Sequence, residues 1–122
     1  MRLFAATLFL LSVLDGAVAA LQDTVGAIMG VGMTSCAEFA KLYRQNPEAT
    51  ESYHFFWAQG FMSGSNLMLL ALKQPMHNLA AWSIHDQESH IRQYCQQSPL
   101  SDYAHAVGDL FKALPEIPRS AK

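Results

Sequence analysis

Charge is scarce in this sequence. Asp, Glu, Lys and Arg make up 15% of the 122 residues, and the formal net charge is −2. No run of Lys or Arg occurs, which argues against a nucleic-acid partner and against an anionic membrane surface. An apolar run long enough to span a bilayer is also lacking. Leu3 to Leu14 offers 12 residues, against the roughly 20 that a transmembrane helix requires, and Asp15 and Gly16 then interrupt it. Cysteine is limited to two residues, so one intramolecular connectivity is open. No internal repeat and no strand-like alternation is visible.

The ends of the chain read as an exported protein. Met1-Arg2 gives a short positive start before the apolar run, and Ala17-Val18-Ala19 places small residues where a signal peptidase reads them. Val18-Ala19-Ala20 is an equally acceptable site, so the mature chain is expected to begin at Ala20 or Leu21. The expected organisation is a cleaved signal peptide over 1–20, a flexible N-terminal arm over 21–34, a helical domain over 35–115 and a loose tail over 116–122. Export to an oxidising compartment, the periplasm, predicts that Cys36 and Cys95 pair as a disulfide.

What remains is apolar enough for a real core, with 51% hydrophobic residues. The arm is rich in glycine (Gly26, Gly30, Gly32) without a helical apolar period, and reads as flexible or extended. Its spacing resembles a phosphate loop, but it lacks the required lysine and the flanking strand and helix. Ser35, with Glu38 three residues on, forms a capping box that opens the first helix. Cys36, Phe39, Ala40 and Tyr43 follow at helical spacing, and Asn46-Pro47 ends it.

The second helix is expected from about Thr50 to Lys73. It is apolar around most of its circumference, the pattern of the central helix of a bundle. Gly60 and Gly64 within it imply close approach of another helix, so Gly60→Leu is expected to overpack the core. Ser83 caps a third helix reaching Gln97, whose thin apolar face is Ile84, Ile91, Tyr94 and Cys95. Its polar side carries His85, Asp86, Gln87, Glu88, His90 and Arg92. Ser98-Pro99 reads as the start of a fourth, with Leu100, Tyr103, Val107, Leu110, Phe111 and Leu114 along one stripe and Pro115 as its stop. These elements predict an all-α fold, a small four-helix bundle closed by one disulfide.

Signals for chemistry are weak. Gly60-Phe61-Met62-Ser63-Gly64 puts its serine one place too late for a hydrolase elbow, and inside a helix. Five histidines invite a metal, yet Asp86 and His90 on one helical face supply only two ligands, and His54, His77 and His105 lie on other elements. The expectation is solvated histidines, no metal, no cofactor and no enzymatic activity, since no nucleophile, base and oxyanion donor assemble.

Three segments carry a resemblance. Cys36-Ala37-Glu38-Phe39, Trp57-Ala58-Gln59-Gly60-Phe61 and Ile91-Arg92-Gln93-Tyr94-Cys95, with Ser98-Pro99-Leu100 and Ala106-Val107, resemble the HdeA-like family of small periplasmic helical proteins. The two cysteines fall where that family places its disulfide. The resemblance implies a dimer near neutral pH that opens in acid and binds unfolding client proteins. It departs from the family in its low charge and its longer central helix. On opening, the client surface would be the apolar stripes around Trp57, Phe61 and Leu67. A second resemblance, to the Tai-type immunity proteins of type VI secretion, implies instead a protein that blocks a toxin enzyme. That family's extra cysteines are missing here. An envelope accessory protein is the third reading.

Overall fold

The computed structural model describes residues 26–118, so the expected leader and its cleavage site, the start of the arm and the last residues of the tail lie outside the described residues. Four α-helices are present: α1 (Cys36–Gln45), α2 (Pro47–Ala71), α3 (Ile84–Gln97) and α4 (Tyr103–Ala113). A short 3-10 turn, Gly30–Met33, precedes them. Among the described residues there is no strand, only two isolated bridges, so the all-α prediction holds, and so does the disulfide between Cys36 and Cys95.

Local chemistry sets the helix starts. The Ser35 hydroxyl accepts from the Glu38 amide, and Ser83 does the same for Asp86, each satisfying a donor that has no partner inside the helix. Asn46 has two roles. It terminates α1, and its side-chain oxygen accepts from the Ala49 amide to start α2, with Pro47 in the first turn. The two helices are therefore joined without a loop. The second helix ends with Lys73 at a φ of 55°, and the Gln74 and Lys73 amides donate to Leu69 and Leu70 carbonyls, a Schellman ending with lysine in the usual glycine place.

The fourth helix corrects the sequence reading. It begins at Tyr103, capped by the Asp102 side chain, not at Ser98-Pro99. Residues 98–101 form a turn whose Pro99 and Ser101 carbonyls accept the Ala37 and Cys36 amides, while the Tyr103 amide donates to the Thr34 carbonyl. The first-turn amides of α1 need acceptors, and this turn supplies them, which holds it out of the helix. Leu100, assigned to the apolar stripe by its spacing, is 98% exposed.

The core lies where α1, α3 and α4 meet the first two-thirds of α2. Cys36, Phe39, Phe55, Ala58, Met62, Ile91, Tyr103, Val107, Leu110 and Leu114 are its main members. Cα atoms of the bridged cysteines are 4.7 Å apart, which ties the start of α1 to the end of α3. On the third helix Gln87, read as polar surface, is buried, and its amide donates to the Leu79 and Trp82 carbonyls. Where a loose tail is expected from residue 116, Ile117 donates its amide to the Met76 carbonyl, and at the end of the helical domain the Pro115 carbonyl accepts from the Asn78 amide.

Candidate protein-binding surface on the long helix

Helix α2 has 25 residues and α4 has 11, so at about 1.5 Å per residue the first outruns the second by roughly 20 Å. Its buried residues, His54, Phe55, Ala58 and Met62, all lie in its first two-thirds. Beyond Met62 the helix continues with Leu67, Met68, Leu70 and Leu72, which are 66%, 61%, 55% and 61% exposed. On the earlier turns Tyr53 and Phe56 are also exposed. The expected central helix of a bundle is thus covered on one side of one part only.

Trp57, Phe61 and Leu67 occupy different settings. Trp57 stacks on Phe61 at 5.3 Å, and both pack against the core as partly buried side chains. The Gly30–Met33 turn folds over Trp57, where an extended arm is expected. A Cβ on Gly32 would sit 2.3 Å from Trp57 Cζ2, so the missing side chain is what permits the contact. Leu67 does not join this pair and faces outward. Phe61 borders shallow apolar clefts, one with Gly64, Met68, Leu69 and Phe111 and another with Ile28, Met29, Phe56 and Gly60.

Gly60 and Gly64 overturn an expectation. A Cβ at either would meet nothing within 4 Å, so no helix of this chain approaches them among the described residues. The close-packing role assigned to Gly60 and Gly64 is incorrect, because helical spacing identifies a face without identifying what covers it.

His54 is the second departure. It is 2% exposed, not a solvated surface residue. Its ring lies 5.0 Å from both Phe39 and Tyr103, Nδ1 donates to the Thr50 carbonyl at 2.8 Å, and Nε2 has no hydrogen-bond partner. Burial therefore holds its pKa below the ordinary value, with the Thr50 hydrogen bond opposing. Nearby, Arg92 pairs with Glu51 and lies over the Tyr43 ring.

Two other histidines lie beside carboxylates. His90 Nε2 lies 2.8 Å from Asp109, and His105 Nδ1 lies 2.7 Å from Asp102, the residue that caps α4. Among the described residues no group of three or more His, Cys, Asp or Glu is placed to hold a metal, and no cysteine is free. No described helix is long and apolar enough to cross a membrane. Compared with protein-family models, curated proteins and solved structures, the chain matches none.

Proposed function

We propose that the protein is a non-enzymatic, periplasmic, HdeA-like binder of other proteins, which takes up unfolding clients under acid stress. The observation that carries this reading is the long apolar surface of α2, uncharged from Ser52 to Leu72 and exposed along its outer face. Exposed apolar patches of this extent mark sites of protein association. Buried His54 adds an acid sensitivity, because an imidazolium there would lose its solvation. The disulfide is indifferent to acid and keeps the chain tethered for recovery.

The test is light scattering from a model client brought to about pH 3, within the range where histidines and carboxylates have taken up protons, with and without the protein. Tryptophan fluorescence records opening in parallel. Suppressed aggregation is expected. Opening without suppression would overturn the chaperone reading. A second reading, an immunity protein that neutralises a toxin enzyme, is favoured by the exposure of α2 before any opening. It requires stoichiometric loss of the enzyme's activity at neutral pH on adding this protein.

A further inference from the structure

Three clefts meet at Phe61. One lies between α2 and α4 and is bordered by Phe61, Gly64, Ser65, Met68, Leu69 and Phe111. A second runs along α4, where Phe61, His105, Gly108, Asp109 and Lys112 border it. The third lies under the arm, against Trp57 and Gly60. The first two adjoin twice over, because Phe61 borders both and because Phe111 and Lys112 are neighbours at the end of α4.

The two adjoining clefts differ in polarity. In the first, Ser65 is the one polar side chain, and its hydroxyl donates to the Phe61 carbonyl, so the walls offer almost only apolar surface. Gly64 leaves that cleft open, since a Cβ there would meet nothing within 4 Å. The second cleft has a charged rim. Asp109 lies against His90, and His105 lies against Asp102, the cap of α4. Lys112 forms no ion pair or hydrogen bond with a described residue, so its ammonium is the uncommitted charge of the rim.

We propose that these two clefts bind a single-chain carboxylate, a fatty acid, with its chain along Gly64 between α2 and α4 and its head at the Lys112 ammonium. The apolar cleft has a volume of about 520 Å³, within the roughly 300–1,000 Å³ of small-molecule sites. From Phe61 to Leu69 it follows α2 for roughly 12 Å at about 1.5 Å per residue. One leaflet of a bilayer core, the depth of an acyl chain, is about 15 Å, so cleft and chain match in length. The cleft is shallow, which suits a flexible chain lying along two helices. The rim selects the head. An uncharged head would leave Lys112 unused, a cationic one would be repelled by it, and a doubly charged phosphate would also face the Asp109 carboxylate. A single carboxylate complements one ammonium. The site uses the side of α2 that faces α4, and it does not depend on client uptake.

The experiment is isothermal titration calorimetry at neutral pH on the disulfide-bonded protein, with dodecanoate below its micelle concentration as the probe. One-to-one binding is expected with a Kd on the order of 100 μM, as about 14 heavy atoms reach in a half-open site. Butanoate, which keeps the head and lacks the chain, should give no binding. Gly64→Leu fills the chain cleft and should weaken binding about tenfold or more, equivalent to two methylene groups left in water. Gly60→Leu fills the cleft under the arm and should leave the affinity unchanged. Lys112→Gln should weaken binding about fivefold, the worth of one exposed ion pair. Dodecyltrimethylammonium, the same chain with the opposite charge, should bind more weakly than dodecanoate. Circular dichroism checks that the three variants keep their helicity, as expected at open positions. No binding of dodecanoate at about 1 mM overturns the proposal. Uptake of many molecules with loss of helicity, the behaviour of a detergent, overturns it too. Full affinity in Gly64→Leu, or an equal loss in Gly60→Leu, overturns the assigned cleft. Butanoate binding as tightly as dodecanoate overturns the role of the chain. Full affinity in Lys112→Gln, or equal affinity for the two head charges, overturns the carboxylate head. A negative client assay at acid pH leaves every arm intact.

Discussion

Gly32 lies beneath Trp57 with no room for a methyl group, whereas Gly60 lies in the open on a helix. Opposite outcomes follow from the same substitution. Gly32→Ala is expected to cost about 1–3 kcal/mol, because ring and turn must separate. Gly60→Ala is expected to stabilise the domain by about 1 kcal/mol, the helix-propensity difference with no steric penalty. Urea unfolding followed by tryptophan fluorescence measures both. His54 sets a pH dependence of known sign. Its folded-state pKa lies below the ordinary 6.5 because burial disfavours the charged ring, so the unfolded chain takes up the proton first. The stability this residue contributes is complete above about 6.5 and declines as the pH falls through the lower folded-state value. Glu88 acts in the opposite sense: burial, then repulsion from Glu51, raises its carboxyl above 4.5, with Arg92 and His85 opposing. His54→Phe, which keeps the aromatic packing, should flatten the stability profile between about pH 7 and 5. An unchanged slope in thermal unfolding across that range would assign the effect elsewhere.

At the scale of elements, one side chain of α2 fastens the helix to the connection that leads to α3. Asn66 donates its side-chain amide to the His77 carbonyl and accepts the His77 amide on its oxygen, both at 2.8 Å. His77 Nδ1 in turn lies 2.7 Å from the Leu114 carbonyl. The helix, the loop and the end of α4 are thereby joined through Asn66 and His77. Asn66→Ala is expected to cost about 1–3 kcal/mol, since it strands two polar backbone groups that are partly shielded from water. Hydrogen exchange should show the loss first in residues 74–79, before any change in α4. Helix starts were legible where a hydroxyl residue preceded a periodic run, as at Ser35 and Ser83. Asp102 was not, because Ser98-Pro99 is the stronger local signal and the acceptors needed by α1 overrule it. Asn66, on the polar strip of α2, carries no mark that distinguishes it from Gln59 or Ser63.

For the whole molecule, the Cys36–Cys95 bond closes a span of 59 residues that includes α1, α2 and most of α3. Replacing both cysteines by serine is expected to cost about 2–4 kcal/mol, chiefly through the freedom returned to the unfolded chain. Chemical denaturation reads the loss, and alkylation of the freshly prepared wild type should find no free thiol. The charge balance acts at the same scale. The eight Lys and Arg and five His of the sequence take the net charge from −2 to about +13 once the carboxylates are neutral. Self-repulsion of that size loosens a small domain, while the disulfide limits how far it opens.

The sequence by itself determined the helical class, most helix boundaries and the identity of most core residues, because these depend on short-range terms, and it determined the pairing of the cysteines because there are only two. Capping atoms, proline and the 3.6-residue period act within a turn or two of the chain. Tertiary structure alone decided which apolar faces are covered. The second helix is apolar on most of its surface from Tyr53 onward, yet it extends well past the helices that pack on it. Its outer face and last turns therefore lie open, and Gly60, Gly64 and Leu67 belong to that surface. His54, though polar, was drawn into the interior because the rings that enclose it, Phe39 and Tyr103, come from other parts of the chain. Gln87 was drawn in because the segment just before α3 folds back so that the Leu79 and Trp82 carbonyls accept from its amide. Periodicity records which residues share a side of a helix. Only the lengths and positions of the neighbouring elements decide whether that side meets protein or water.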